Sequence, residues 1–367
     1  MSPFWLRRPF FILRGLFTRR ERPDLDRLGR IEDPEAFVWA ILPHAARTFS
    51  ACIAMLPARS ALPAAVAYLY CRMLDTYEDL EPDGAIRDES LRTFAARLQG
   101  AESGRLAPAP PIQAPTDRDD RDRAHLLLVR RATLVDRVYL SFDEETREVV
   151  RDLVHDMADG MRWSSATFES QGGVLSGEAQ LSLYCRHVLG NPVIFGMRLI
   201  RLAHGVRPQL TPDEREEAMR VGELVQLANV TRDVEKDLRR GIAYDDSLRE
   251  YLGRDASNGD RILAERCRAV RERLLHMALA RAPSYRRIIA ALNLRGWSVA
   301  RGSGVLMLLF TERYYRGCAR RVGAAAWSGP TSTASLLGRT FRSTFSERAA
   351  FREIDRVERA FLAAAKR

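Results

Sequence analysis

The sequence predicts an all-α fold. Apolar residues recur at helical spacing along most of the chain, strand-like alternation is nearly absent, and helix-start signals stand ahead of the apolar segments. No repeat of fixed period divides the chain. The 367 residues, 46% hydrophobic and 29% charged, can bury one large core or two smaller ones.

Residues 1–30 form a basic, aromatic N-terminal segment. Phe4, Trp5, Phe10, Phe11, Ile12, Leu16 and Phe17 interleave with Arg7, Arg8, Arg14, Arg19 and Arg20. The apolar run is broken by arginines and Pro9, and no small-residue cleavage site follows, so it does not read as a signal peptide. No run of roughly twenty apolar residues occurs, and no transmembrane helix is expected. The mixture suits a segment lying in a membrane interface, with residues 4–20 as the contact. A disordered basic tail, or a helix packed on the protein's own body, fits the same composition.

The helical body is expected over 31–322. "DPEAFVWAILPHAARTFSACIAML" opens with Asp33 as N-cap and Pro34 at the first helical position. "ALPAAVAYLYCRMLDTYEDL" follows with Pro63 near its start. Residues 100–123 are Pro-rich, then densely charged, with no apolar face, and read as a mobile surface insertion. Helical spacing resumes at 124 and continues through "ETREVVRDLVHDMADGMRW". "SSATFESQGGVLSG" reads as a loop with paired glycines. Three further helical segments lead to another helical stretch over 284–322. Residues 323–367 read as a small, polar tail closing in one short amphipathic helix.

Net charge is +10 and the pI is about 9.8, mostly from arginine. This points to an anionic partner, and arginine suits bidentate phosphate binding. A nucleic-acid role is not expected, because no such motif is present and the arginines are spread along the chain. Cys52, Cys71, Cys185, Cys267 and Cys318 are scattered and form no CxxC pair. They read as reduced thiols of a cytoplasmic protein, here with a peripheral place at the inner face of the membrane.

Two acidic clusters carry the chemistry. Asp75, Glu78 and Asp79 lie at i, i+3 and i+4 and share one helix face. Crowded carboxylates repel, and a cation, water or arginines must relieve them. Alone, this is as well read as a solvated helix end. The second cluster, Asn229, Asp233 and Asp237, runs along one stripe of an apolar helix, with Gln226 one turn earlier. In a helical bundle, internal metal sites are built from side chains projecting inward from facing helices. Arg72 and Arg232 accompany the stripes, and Arg47 lies on a third apolar helix. Hard oxygen donors with guanidinium forks describe a Mg²⁺–diphosphate site, with apolar helices around it to hold a hydrocarbon.

These motifs, in this order, resemble the squalene/phytoene synthase family of head-to-head prenyl-diphosphate synthases, from about residue 37 to 315. "ARTFSACIAMLP" is similar to its early Arg-Ser-Phe segment, and "YLYCRMLDTYEDL" to its first aspartate-rich motif. "HDMADGMRW" and "YCRHVLGNPV" resemble segments around the central loop, and "QLANVTRDVEKDLRRG" the second aspartate-rich motif. The resemblance implies a single-domain class I terpenoid synthase bundle with a central cavity. It implies Asp75, Glu78, Asp79, Asp233 and Asp237 as Mg²⁺ ligands. Arg47, Arg72, Arg232, Gln226 and Asn229 would contact diphosphate, and Tyr184, Tyr68 and Arg72 would act in catalysis. Without the family match, Tyr184 reads as a core tyrosine. The implied activity joins two prenyl diphosphates through a cyclopropylcarbinyl diphosphate, and "DTYED" leans toward farnesyl diphosphate. Geranylgeranyl diphosphate, or a class I cyclase acting on one substrate, are the alternatives.

The chain departs from the family pattern after the second motif, where "RRGIAYDD" places Ile242, Asp245 and Asp246. Asn191-Pro192 stands where small or apolar residues are commoner. "RGSGVLMLLFTERYY" matches the region of the reductive half only loosely, which leaves NADPH use open and disfavoured.

Overall fold

Asp33 caps the first long core helix, as its place before Pro34 predicts. Its carboxylate accepts from the Ala36 N–H at 2.7 Å. This computed structural model describes residues 4–18, 22–46, 48–113, 118–255, 260–323 and 332–365. Among them are seventeen α-helices and no strand. Their one extended pairing is an isolated bridge between Val174 and Ala243. The chain divides into two compact units, Met1–Arg162 with Phe195–Pro208, and Trp163–Ile194 with Gln209–Arg367.

The first unit holds α1 (Phe4–Phe17), α2 (Leu25–Gly29), α3 (Pro34–Ala46), α4 (Phe49–Ala54), α5 (Ala58–Leu80), α6 (Gly84–Ala96), α7 (Asp120–Arg130) and α8 (Ala132–Leu140). Alanines of α5 bring neighbouring backbones close, while Leu69, Tyr70, Met73 and Tyr77 fill the core with Phe37, Ile41 and Phe94. The Tyr70 hydroxyl donates to Asp136 at 2.8 Å, and Arg97 clasps the same carboxylate at 2.8 and 2.9 Å. Both terminal nitrogens of Arg97 and both oxygens of Asp136 are thus partnered in this buried charge pair.

α1 packs on this body by one face only. Phe4 and Phe11 lie 5.3 and 4.5 Å from the Trp39 ring, and Arg8 and Arg14 donate to the Leu56 and Ala40 carbonyls. Gly15 sits at the crossing, where a Cβ would stand 2.4 Å from Ser50 Oγ. On another stripe, Leu6, Phe10, Leu13 and Phe17 are 50–66% exposed. Of the readings the sequence left open, the packed helix therefore describes one face.

The expected mobile insertion is tied down where it is described. Tyr77 donates to the Pro110 carbonyl at 2.6 Å, Arg97 to that of Ala107 at 2.9 Å, and Leu106 is buried. Prolines hold this stretch extended, with carbonyls no helix satisfies, so side-chain donors from the core take them. Asp119 caps α7, which begins inside the charged run rather than after it.

The second unit holds α10 (Gly177–Cys185), α12 (Pro212–Arg239), α13 (Arg261–Leu279), α14 (Pro283–Ala291), α15 (Val299–Arg321), α16 (Thr333–Phe345) and α17 (Glu347–Ala365). Two further helices, α9 (Glu144–Ser170) and α11 (Asn191–Ala203), complete the chain. α9 runs through "SSATFES", read above as loop, and the turn is confined to the glycines that follow. Between α10 and α11 lies a π-helical turn, Arg186–Gly190, in which Asn191 N–H bonds the Arg186 carbonyl five residues back. Pro192 has no N–H to offer, so the ladder loosens here. α12 comes against this turn at Gly222, where a Cβ would stand 2.3 Å from Gly190 N. A capping box of Thr211 and Glu214 starts α12.

The expected C-terminal tail with one short helix is instead two helices. Ala350, Ile354, Val357 and Phe361 of α17 are at most 1% exposed, and Phe361 meets Tyr315 edge-on at 5.5 Å. Their i, i+4, i+7, i+11 spacing is a full core-facing stripe. No helix among the described residues is long and apolar enough to cross a membrane.

Candidate active site

The first acid stripe stands at the C-terminal end of α5. Arg72 meets Asp75 at 3.0 Å across one turn and donates to the Tyr68 hydroxyl at 3.3 Å. Tyr68 also lies against Phe49, ring centres 6.0 Å apart. Burial pushes the Asp75 carboxyl up, Arg72 opposes this, Asp79 adds to it, and Arg121 opposes it. Burial works against the Arg72 charge, yet Asp75, Tyr68 and Asp79 together hold it above its ordinary range. Glu78 is half-buried and Asp79 exposed. Arg47 lies outside the described residues.

Arg121 is a residue the sequence reading missed. It belongs to the stretch taken as an insertion, and the fold brings its charge to Asp75 and, through Asp122, to the surroundings of Asp79. The run "DRDDRDR" carried no sign of which charge would turn inward.

The second stripe lies near the C-terminal end of α12. Gln226 is buried and accepts from Asn229 at 3.1 Å. Arg232 grips Asp233 with two donors, Nε at 2.8 Å, and stands 5.2 Å from the Tyr314 ring. Hydrogen bonding to Asp233 is the main reason its charge is held firmly. Asp237 is pushed up to about 6, first by burial, then by Asp233, with Lys236, Arg240 and a hydrogen bond from Tyr244 opposing.

Tyr244 is the second missed residue. Its hydroxyl bonds both Asp237 and the Tyr184 hydroxyl. The bond from Tyr244 favours the ionised Asp237 carboxylate. Phe168 meets both tyrosine rings edge-on at 6.1 Å, and the tyrosines lie 5.6 Å apart. The backbone beside Tyr244 is pinned to the opposing turn: Leu175 N–H donates to the Ala243 carbonyl at 3.0 Å, and Ala243 N–H to that of Gly173 at 2.9 Å. Gly173, at φ +89°, passes so close that a Cβ would stand 2.2 Å from the Gly241 oxygen. Only glycine serves there. The departures noted above sit on this loop's far side, where Asp245 binds Arg273 and Asp246 binds Arg249 and Ser176. Those acids are occupied in holding the loop.

Among the described residues no three acidic, histidine or cysteine side chains converge into a ready-made cage. Each stripe instead offers hard oxygens, with a carboxyl whose charge burial and a neighbouring acid disfavour. Mg²⁺ is usually held by one or two carboxylates together with water and substrate phosphates. The donors fit that arrangement.

A family model described as squalene/phytoene synthase matches residues 42–326. The chain is 31% identical to lycopaoctaene synthase of Botryococcus braunii over 57% of its own length and 43% of the relative's. It is 25% identical to a phytoene synthase of Cereibacter sphaeroides over 63% of this chain and 58% of that one. The matched part thus spans well under two thirds of either relative. Among solved structures, TcSQS in complex with a ligand superposes with a TM-score of 0.70 at 18% identity, covering 90% of this chain and 92% of that one. That likeness establishes the all-α isoprenoid synthase fold.

Proposed function

Because the chain belongs to the squalene/phytoene synthase family, we propose that it is a prenyltransferase that joins two prenyl diphosphates head to head, farnesyl diphosphate being favoured. The observation that carries this reading is the repeated unit of a partly buried carboxylate stripe with its own arginine and tyrosine, once on α5 and once on α12. Asp75, Glu78 and Asp79, and Asp233 and Asp237, would hold Mg²⁺, which when bound supplies positive charge to a departing diphosphate. Arg72, Arg121 and Arg232, and Arg47 by its place in the motif, would fork onto diphosphate oxygens. Gln226 and Asn229 would fix the orientation of the second group.

In the first half-reaction the allylic C–O bond of one substrate breaks and its electron pair leaves with diphosphate. The double bond of the second substrate attacks the resulting cation, one proton is lost, and a cyclopropylcarbinyl diphosphate forms. Tyr68 and Tyr184 suit the cation's path, because a phenol ring face stabilises positive charge. A hydroxyl already bonded into Tyr184–Tyr244–Asp237 is fixed in orientation, and can pass a proton toward the carboxylate. The exposed apolar stripe of α1, a helix with no acid of its own, supports a peripheral place at the inner membrane face.

Incubation of the protein with Mg²⁺ and farnesyl or geranylgeranyl diphosphate, with and without NADPH, tests the reading. A C30 or C40 hydrocarbon, or a cyclopropyl alcohol after phosphatase, is expected. The NADPH arms decide the reductant. A C15 or C20 product would move the chain to single-substrate cyclisation, and absence of diphosphate release would overturn the reading.

A further inference from the structure

The most prominent unexplained feature outside the acid stripes is an aromatic cluster in the second unit. Trp297 is 68% exposed, Phe341 65% and Phe345 55%. Trp297 stacks on Phe345 with ring centres 6.3 Å apart and planes 13° from parallel, and Phe341 lies 4.7 Å from Phe345. Exposed aromatics of this size are costly in water, and single ones pass without comment; three in mutual contact do not.

The fold holds them out deliberately. Arg301 is 1% exposed, and its guanidinium donates to the carbonyls of Leu294, Gly296, Ser343 and Thr344 at 2.6–3.1 Å. Ser298 N–H adds a bond to the Thr344 carbonyl at 2.8 Å. One buried cation thus locks the turn bearing Trp297 to the end of the helix bearing Phe341 and Phe345. The cluster is a rigid projection.

Its charge setting selects the partner. From Arg273 to Ser346 the chain carries twelve arginines, no lysine and one acid, Glu312, although acids from outside the stretch pair Arg273, Arg281, Arg286, Arg287 and Arg339. That acid is buried and bonded by Arg316 and Arg356. Arg295 and Arg342, exposed in the chain beside the aromatics, therefore meet no local counter-charge within that stretch; the nearest acid is Glu347, just beyond it. A second copy of the chain would oppose arginine with arginine across a two-fold contact. The rings already pack on one another, which leaves few open faces for nucleobases. An anionic bilayer fits every term: aromatic rings enter the interface while arginines stay at headgroup level.

We propose that Trp297, Phe341 and Phe345, with Arg295 and Arg342, form a docking surface for an anionic lipid bilayer, independent of α1 and of the reaction assigned above. The test uses the full chain and sucrose-loaded vesicles of phosphatidylcholine, with or without one third phosphatidylglycerol. The triple variant Trp297→Ser, Phe341→Ser, Phe345→Ser is expected to bind the anionic vesicles at least about tenfold more weakly. Its circular dichroism should match that of the parent, since all three rings are exposed. Arg295→Gln with Arg342→Gln should reduce the preference for anionic over neutral vesicles severalfold. In the otherwise native protein, bromine-labelled lipid should quench fluorescence that disappears in Trp297→Phe. Unchanged vesicle binding in the triple variant would overturn the proposal. So would absent quenching, a dimer that the triple variant dissolves, or binding of RNA in preference to vesicles.

Discussion

The two acid stripes look alike in sequence and are built differently. The stripe on α5 is supported from within its own helix. Arg72 neutralises Asp75 one turn away, and the helix behind it is core. The stripe on α12 has its own arginine too, Arg232 on Asp233, and adds a support from outside. Asp237 is opposed by Lys236 and Arg240, and then by Tyr244, which arrives on a loop pinned through Gly173 and Gly241. Charges answer charges in both cases, and in the second a loop hydroxyl is added to them. A guanidinium on the same helix holds its position with the helix. A tyrosine on a loop holds its position only while the loop does. The first stripe should thus be robust to distant change, and the second sensitive to it.

The largest effects should not distinguish the two. Asp75→Asn and Asp233→Asn each remove a carboxylate proposed to bind Mg²⁺ while keeping shape and one acceptor. Either should lower diphosphate release by about a thousandfold or more while circular dichroism keeps the helical fold, the melting temperature falling modestly because Arg72 or Arg232 loses its ion-pair partner. Near-native turnover in either variant would detach that stripe from the reaction.

The comparison sharpens with Gly173→Ala. The new Cβ must meet the Gly241 oxygen, and the backbone must keep a positive φ. We expect a loss of about 2–4 kcal/mol, read as a lowered denaturant midpoint. Activity should fall with it, because Tyr244 moves. A change of the same steric kind at the α5 stripe has no such lever, because no glycine turn stands behind it. Unaltered stability would mean that the two turns are not locked together.

How much of this was legible follows from the range of each interaction. The Asp33 cap, the Pro34 start and the i, i+3, i+4 alignment of Asp75, Glu78 and Asp79 are local, and helical geometry supplies them directly. The pairing of Arg72 with Asp75 is local too. Tyr244 and Arg121 were not legible as site residues. Their positions depend on a turn approaching from seventy residues away and on where a charged run turns helical. Residues 104–113 looked free because prolines have no period, yet Tyr77 and Arg97 hold them. The closing amphipathic helix is α17, with Ala350, Ile354, Val357 and Phe361 on one stripe, whereas α16 (Thr333–Phe345) lies within the run that reads as small and polar and was not expected.

The smallest effect probes the hydroxyl chain itself. Burial and the neighbouring Asp233 push Asp237 up to about 6 from its ordinary 3.8. Between those values the folded state binds more protons than the unfolded one, so stability falls as pH rises through that window. Above it the ionised carboxylate remains a standing cost that a bound cation relieves. Mg²⁺ should therefore raise the melting temperature more at pH 7.5 than at pH 5. In Tyr244→Phe the hydrogen bond that favours the carboxylate is gone, the Asp237 value rises further, and the onset of Mg²⁺ stabilisation should move to higher pH. The corresponding loss at α5, Tyr68→Phe, leaves Asp75 paired with Arg72 and should shift that onset little. Equal shifts in the two variants would mean that the Tyr244 hydroxyl adds nothing at Asp237 beyond what Lys236 and Arg240 supply.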